Sequence, residues 1–269
     1  MGTRQSARDQ RKQKALAQES HPRHDARVAR TDTTIGQRLA AEAVGTFFVT
    51  ATAIGVDVFY YAHGNVDYVS RWLARGFVAS AVIYAFGETS GAHADPAVTI
   101  GFWLRRVFPG RMAAAFIAAQ FAGALVAAAL WLLLVGHATL ALGASHPGPH
   151  VSAPTAALTE VGATFALMLV ILMTAQDRAA IGRQSALAVG FIIAACGFAI
   201  GPISGASMNP ARTLAPQLLA GTIGAGWIYV VGPIAGAAMA VGVHALISGT
   251  PSEGEKKAAR GRVHTKHGT

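Results

Sequence analysis

The stretch Ser90-Gly-Ala-His-Ala-Asp-Pro-Ala97 returns as Ser204-Gly-Ala-Ser-Met-Asn-Pro-Ala211 in the second half of the chain. Each copy places a proline inside an otherwise apolar sequence, at a matching position of its half. Such paired interruptions are typical of membrane proteins built from inverted repeats, in which a pathway forms where the interrupted helices meet. The duplication therefore predicts a pathway at the point where the two phrases come together.

The composition indicates a protein that lies in a lipid bilayer. Hydrophobic residues make up 52% of the chain and charged residues only 13%, which is unusual for a soluble domain. Stretches long enough to cross about 30 Å of hydrocarbon as helices lie at about 36–61, 71–88, 112–136, 156–175, 184–202 and 224–247. Strands are not favoured, because these stretches lack alternation with a period of two.

Two shorter apolar stretches, about 96–104 and 210–219, directly follow the repeated phrases. Each is too short to cross the bilayer alone, so each is interpreted as a re-entrant half-helix. The sequence thus predicts an all-α membrane protein with six transmembrane helices and two half-helices in inverted repeats.

Basic residues concentrate at the two ends of the chain, whereas the stretch 137–155 has no lysine or arginine. Because basic residues favour the cytoplasmic side of a membrane, we expect both termini to be cytoplasmic. The net charge of +9 lies mostly in these ends, so nucleic-acid binding is not favoured. We assign a disordered basic tail to 1–32, a channel domain to 33–249 with repeats over about 33–136 and 155–248, and a basic tail to 250–269.

No residue pattern for catalysis or for a cofactor stands out. The single cysteine, Cys196, excludes an internal disulfide and a cysteine-based metal cluster. The ten histidines lie mostly in the tails and outer loops, without the spacing of metal ligands. We therefore expect a protein that is not an enzyme and that binds no metal or cofactor.

The repeated phrases place helix-starting residues at the half-helices. Pro96 and Pro210 suit the first helical turn, and Asp95 and Asn209 suit the N-cap. Two half-helices that meet by their N-termini would point positive dipole ends and free backbone N–H groups at the membrane centre, which repels cations. Arg212 lies at membrane depth, where a charge usually faces a wet cavity or a partner, so we expect it to line the pathway.

These residues together resemble the aquaporin or major intrinsic protein family, with a match over about 34–248. The two phrases carry the resemblance, with Arg212 directly after the second one. Each half also opens alike, with Glu42-Ala-Val-Gly-Thr-Phe47 and Glu160-Val-Gly-Ala-Thr-Phe165. The resemblance implies an aquaporin-like fold, a passive pore for water, and a homotetramer with one pore per subunit.

The resemblance also implies a role for individual residues. Glu42 and Glu160 would accept hydrogen bonds from the backbone of the re-entrant loops, and His93 is a candidate for lining the pore. The implied pore motif is Asp95, Pro96, Ala97, Asn209, Pro210 and Ala211, and the implied selectivity filter is Arg75, Gly197, Ala206 and Arg212.

The position of Arg75 has two alternatives. A shift of one residue in the alignment with the family would place Ala74 in the filter instead of Arg75. Because Arg75 is near the start of its span, it is also compatible with a position at the outer interface.

Departures from the family pattern concern the permeant more than the fold. Asp95 stands where the family usually has asparagine, and the sequence leaves open whether it is ionised or is protonated and able to donate. Gly197 and Ala206 are small and favour a wider filter, whereas Thr213 and Ala215 differ from the aspartate and basic residue typical of glycerol facilitators.

We predict a passive channel for water that excludes protons and ions, with small neutral solutes left open as permeants. The alternatives are a wider facilitator for glycerol, urea, ammonia, peroxide or metalloid acids, an ion-conducting channel that uses Asp95, and a non-conducting scaffold. The alanine, glycine and arginine usage favours a multi-pass protein of a bacterial plasma membrane.

Overall fold

The computed structural model describes residues 33–63, 67–175 and 184–261, without the side chain of His63. Within these residues the chain is helical and contains no strand. The order of two long helices, one short helix and one long helix occurs twice, and a further short helix follows. The helices are α1 (Ile35–Val58, continued by a π-helical turn, Phe59–His63), α2 (Tyr68–Ser90), α3 (Pro96–Leu104), α4 (Gly110–Leu142), α5 (Ala153–Thr174), α6 (Ser185–Ser204), α7 (Pro210–Ala220), α8 (Ile228–Ser248) and α9 (Glu253–Arg260).

The predicted all-α fold with six long helices and two half-helices is confirmed. By length and composition, α1, α4, α5, α6 and α8 can each cross a membrane. At 1.5 Å per residue, the 23 residues of α2 span roughly 35 Å, which is also long enough. The helix α2 is less hydrophobic than the other long helices because it contains Arg71, Arg75 and Glu88. Both arginines are buried inside the bundle.

The two half-helices run in opposite directions from a common starting point. The end of α3 lies beside α9, because Arg260 donates from Nε to the Val107 carbonyl at 2.8 Å. The end of α7 lies beside the loop between α4 and α5, where Gln217 donates from Nε2 to the Ser145 carbonyl at 2.8 Å. We call the α9 end of the bundle the tail side and the Ser145 end the opposite side.

The start of α1 also belongs to the tail side. Arg38, in the first turn of α1, lies over the rings of Phe108 and Phe116 at 5.8 and 5.2 Å from the ring centroids. At the end of α8, His244 Nδ1 lies 3.5 Å from the Glu255 carboxylate of α9. The first long helix therefore begins, and the last one ends, at the tail side of the bundle.

The third long helix differs from its prediction at one point. The predicted span ended at 136, and Gly136 has φ 76° and ψ 171°, which interrupts the helical backbone there. Helical structure then resumes as far as Leu142, in a stretch that the sequence assigned to an outer loop. The resumed turn is stabilised by packing, because Leu140 is fully buried against Ile54 and Val58 of α1.

Equivalent helix pairs of the two halves are in backbone contact through glycine. A Cβ on Gly123 of α4 would lie 1.9 Å from the Ala43 carbonyl oxygen of α1. A Cβ on Gly236 of α8 would lie 2.3 Å from the Val161 carbonyl oxygen of α5. Small residues allow such close approach between helices in lipid.

The close contact of α8 with α5 predicts a position-specific loss of stability. Gly236→Val should destabilise the folded protein by about 1–3 kcal/mol, because the new side chain meets backbone that cannot move aside. The measurement is thermal unfolding of the purified protein in detergent. Gly242→Val is the matched control on the same helix, since a Cβ there meets nothing within 4 Å. Equal unfolding temperatures for the two variants would contradict the packing described.

Candidate functional site

The two repeated phrases meet through a hydrogen bond between their loops. Asn209 donates from Nδ2 to the Ala94 carbonyl at 2.8 Å, and both residues are buried. At the start of α3, the Asp95 side chain accepts from the Ala97 N–H at 2.7 Å. At the start of α7, the Asn209 Oδ1 accepts from the Arg212 N–H at 3.1 Å. The N-termini of the two half-helices therefore face each other in the interior of the bundle.

The backbone before each half-helix takes the same unusual path. Ala92 and Ala94 have φ 47°, and the residues at the matching places of the second phrase, Ala206 and Met208, have φ 42° and 57°. Left-handed backbone is uncommon for residues other than glycine and requires support from the surrounding structure.

Glu42 of α1 supports the first loop. Its carboxylate accepts from the Ser90 hydroxyl at 2.6 Å and from the backbone N–H groups of His93 and Ala94 at 3.0 and 2.8 Å. Gln120 of α4 donates to the same carboxylate at 2.7 Å. A fully buried charge thus accepts four hydrogen bonds, which is the condition under which such a charge is tolerated.

Glu160 of α5 supports the second loop in the same way. Its carboxylate accepts from the Ser204 hydroxyl at 2.7 Å and from the N–H groups of Ser207 and Met208 at 2.8 and 2.7 Å. These contacts have the geometry that the family resemblance implied for both glutamates. They also satisfy loop backbone at membrane depth, where water is not available to do so.

A cavity of about 990 Å³ passes the junction of the two loops. On the opposite side of the bundle it is lined by Arg75 and Arg212, and on the tail side by Lys257 and Ala258 of α9. Of the predicted pore residues, those that line it within the described part of the chain are Arg75, His93, Asp95, Ala206, Asn209 and Arg212. Pro96, Ala97, Pro210 and Ala211 instead begin the half-helices beside it.

Arg212 lines the cavity. Its Nη1 donates to the Ser145 hydroxyl at 2.5 Å, and the Nη2 is a buried donor with no hydrogen-bond partner among residues 33–63, 67–175 and 184–261. The side chain is nearly buried, at 6% exposure, so a positive charge lies at the cavity wall with little exposure to bulk solvent.

Arg75 lies at the cavity wall and not at the outer interface. It is buried, pairs through Nη2 with Asp57 of α1, and donates from Nη1 to the Gly205 carbonyl at 3.2 Å. The neighbouring Ala74, which a shifted alignment would place in the filter, is absent from the cavity lining in the described structure.

Gly197, which the resemblance placed at the filter, packs against Trp72 and is not among the described residues that line the cavity. A Cβ on Gly197 would lie 2.1 Å from Cε3 of Trp72, so the indole ring occupies the space that a filter side chain would need. Gly201, one turn further along α6, contacts the same ring with a Cβ distance of 2.2 Å. The two glycines therefore form a slot for Trp72, which is fully buried.

His93 lines the tail-side part of the cavity and contacts α9. Its Nε2 lies 2.8 Å from the Ala259 carbonyl, which can only accept, so the hydrogen resides on Nε2. The Nδ1 atom lies 3.0 Å from the Thr99 hydroxyl. The ring packs between Phe108 and Phe116, with centroid distances of 4.8 and 5.2 Å.

Sequence reasoning missed two parts of this site. The first is Asp57, an acid inside the first apolar stretch, whose partners on α2 could not be identified from spacing alone. The second is α9, which lies in the segment assigned to the basic tail. The pattern Ser252-x-x-Glu255 is a capping box, and the structure shows both of its hydrogen bonds, so this signal was present in the sequence.

Comparison with known proteins places the chain in a family. The model of the major intrinsic protein family matches residues 29–244, and the chain belongs to this family. A putative aquaporin, NIP4-1, from Arabidopsis thaliana is 38% identical over 195 residues, which cover 72% of this chain and 68% of the relative. The probable aquaporin AqpM from Archaeoglobus fulgidus is 38% identical over 237 residues, covering 73% and 96%.

A solved structure supports the fold. The X-ray structure of the aquaglyceroporin from Plasmodium falciparum matches with a TM-score of 0.71 and 23% identity, over 78% of this chain and 96% of that chain. The arrangement of six long helices and two half-helices is therefore that of the aquaporin fold. The chain is accordingly a multi-pass membrane protein of a channel family.

The hydrogen bonds of Glu160 predict a stability effect for a nearly isosteric change. In Glu160→Gln, one carboxylate oxygen becomes an NH₂ group that faces a hydroxyl or backbone donor of the loop. We expect a loss of about 2 kcal/mol, since charged hydrogen bonds contribute about 1.5–3 kcal/mol and one donor is left unsatisfied. Thermal unfolding in detergent measures the loss. An unfolding temperature equal to that of the wild-type protein would show that the loop does not depend on the carboxylate.

Proposed function

We propose that the chain conducts water passively through the cavity, together with small neutral solutes, and excludes protons and ions without any catalysis. The observation that supports this proposal best is the junction of the two half-helices. Their N-termini meet beside a cavity lined by residues from both sides of the bundle. The families of the relatives described above are channels, which agrees with this geometry.

The electrostatics of the cavity favour neutral permeants. Two helix N-termini contribute positive partial charge at the junction, and Arg75 and Arg212 add two formal positive charges on one side of it. Cations are therefore repelled at the junction and on the side of it that carries the two arginines. Asp95 accepts a backbone N–H bond of its own half-helix, so part of its capacity is already engaged there.

The proposed selectivity filter consists of Arg75, Ala206 and Arg212, which line the cavity, beside Gly197, whose neighbouring space is filled by the buried Trp72 ring. The two arginines bring positive charge, and the small Ala206 side chain occupies little of the lumen. This combination favours a second class of permeant besides water, namely small uncharged solutes such as glycerol or urea.

We further propose that both termini are cytoplasmic and that the protein forms a homotetramer in a bacterial plasma membrane. The basic residues of the terminal segments support this orientation. Large apolar side chains are strongly exposed on the outside of the bundle, among them Leu133 of α4 at 84% and Leu246 of α8 at 87%. Such a surface suits contact with lipid or with neighbouring subunits.

Blocking the cavity should abolish water flux without unfolding the protein. Val78 of α2 lines the cavity, whereas the preceding residue, Phe77, is 61% exposed on the outside. In vesicles shrunk by a sucrose gradient, wild-type protein should accelerate the light-scattering change severalfold over empty vesicles. Val78→Trp should return it to the empty-vesicle rate, and Phe77→Trp should leave it unchanged. Equal rates for both variants would refute this conduction path.

Removing Arg75 should change selectivity more than water flux. Arg75→Met keeps much of the side-chain volume but removes the donors and the charge from the filter. We expect the ratio of urea to water permeability to rise severalfold, because methionine lacks the contacts to Asp57 and Gly205 that hold the guanidinium at the cavity wall. Arg111→Met is the control, since Arg111 is exposed at the start of α4 on the tail side. An unchanged ratio of urea to water permeability would show that Arg75 is not part of the selectivity filter.

A further inference from the structure

Asp57 is a buried carboxylate near the end of α1 that contacts two arginines of α2. Arg71 donates from Nε to Oδ1 at 2.5 Å, and Arg75 pairs through Nη2 with Oδ2. Both arginines and the aspartate are at most 5% exposed. Since Arg71 and Arg75 are one helical turn apart, both point from the same face of α2 toward this one acid.

Three contacts hold the Arg75 guanidinium in one position. Besides its ion pair with Asp57, Arg75 donates from Nη1 to the Gly205 carbonyl at 3.2 Å. Its guanidinium carbon, Cζ, lies 4.3 Å from the centroid of the Trp72 ring. Trp72 is itself immobilised in the slot formed by Gly197 and Gly201. The guanidinium therefore bridges α1, α2 and the loop that carries Ala206.

Asp57 offsets part of the positive charge that three arginines bring to the region of the filter. Arg71, Arg75 and Arg212 bring three positive charges to this side of the bundle, and Asp57 pairs with two of them. A buried charge that loses its partner is strongly unfavourable, and Arg75 and Arg212 also repel each other. Loss of the carboxylate should therefore drive the Arg75 side chain away from the wall toward water.

We propose that Asp57 is a positioning residue for selectivity, which holds Arg75 at the filter and thereby limits the size of solute that passes. This inference rests on the proposed function. It differs from a purely structural role, because a structural role predicts lower stability without a change in selectivity.

The test compares ratios of urea to water permeability in reconstituted vesicles. Asp57→Asn should raise the ratio severalfold, in the same direction as Arg75→Met. Asp67→Asn is the matched control, because Asp67 caps α2 through Ser70 at the surface and an asparagine also caps well. The double variant Asp57→Asn with Arg75→Met should equal Arg75→Met alone, since Asp57 acts through Arg75.

Two outcomes would overturn the role of Asp57. One is a wild-type ratio in folded Asp57→Asn protein. The other is a double variant whose ratio of urea to water permeability differs from that of Arg75→Met. The comparison of these two variants remains decisive if Asp57→Asn alone does not fold. Failure of the proposed function is distinguishable, because wild-type vesicles would then show no water flux above empty ones.

A separate observation concerns α9, which docks on the tail-side mouth of the cavity. Glu255 is 1% exposed and accepts from Arg105 Nε at 2.7 Å and Nη2 at 3.4 Å. Arg105 directly follows the half-helix α3. Burial favours the neutral acid, but hydrogen bonds from Arg105 and the Ser252 backbone outweigh it and lower the pKa of Glu255, so the pair is ionic at neutral pH.

The backbone of α9 also touches the loop of the first phrase. A Cβ on Gly91 would lie 2.7 Å from the Ala258 carbonyl oxygen, and one on Gly261 would lie 2.8 Å from the Glu88 carbonyl oxygen. Together with the His93 contact to Ala259, these distances show close docking on the pore loop itself. Lys257, Ala258 and Gly261 are part of the cavity wall.

We infer that α9 is a lid on the tail-side mouth, held by the Arg105–Glu255 ion pair, and that its release increases water flux. The lid belongs to the same proposed channel, so it too rests on the proposed function. The ion pair joins α9 to the residue that follows the half-helix α3. The contact that holds the lid therefore lies directly beside the mouth of the cavity.

Water flux of variants tests the lid. Glu255→Gln and Arg105→Gln should each raise flux per channel severalfold, and a chain that ends at Thr250 should raise it at least as much. Glu253→Gln is the control, because Glu253 is 70% exposed and pairs only with the surface residue Lys256 among the described contacts. Unchanged flux in the chain ending at Thr250 would overturn the inference, even if the single substitutions leave α9 docked. Absence of flux in wild-type vesicles would instead refute the channel.

Discussion

The structure depends on two buried carboxylates that satisfy backbone groups where no water can. Glu42 and Glu160 each accept two backbone N–H groups and a serine hydroxyl from a loop with left-handed residues. Without these acceptors, non-helical backbone at this depth would be prohibitively costly. Because the loops keep their path, the half-helices begin at one point and the cavity acquires N–H groups and dipoles of fixed direction. Conduction of neutral molecules follows from that constraint.

The side of the cavity opposite the tails shows how a pore can carry buried arginines. Arg71, Arg75 and Arg212 lie close together, and the carboxylate of Asp57 and the ring of Trp72 accommodate two of them. Gly197 and Gly201 of α6 are needed because the indole ring of Trp72 occupies the space that their side chains would fill. Charge, aromatic packing and backbone spacing are therefore coupled in this region, whereas on the tail side α9 contributes to the cavity wall.

Much of the fold could be predicted from particular residues. The repeated phrases located both half-helices, because proline and an N-cap residue define a helix start whatever surrounds them. Apolar length located the long helices. The helical turn after Gly136 was not predicted, because it is stabilised by packing of Leu140 on α1, which local pattern does not reveal. The contact of Gly197 with Trp72 was not predictable for the same reason, since Trp72 reaches it from another helix.

The sequence alone determined the inverted repeat, the six long helices and the residues that start the half-helices, because these depend on local preference and on the thickness of the bilayer. It also contained the capping box of α9. Only the tertiary structure decided that Asp57 pairs with Arg75, that Trp72 fills the place beside Gly197, and that α9 packs against the first pore loop. These contacts join residues far apart in the chain, so their partners are set by how the helices pack and not by any spacing along the sequence.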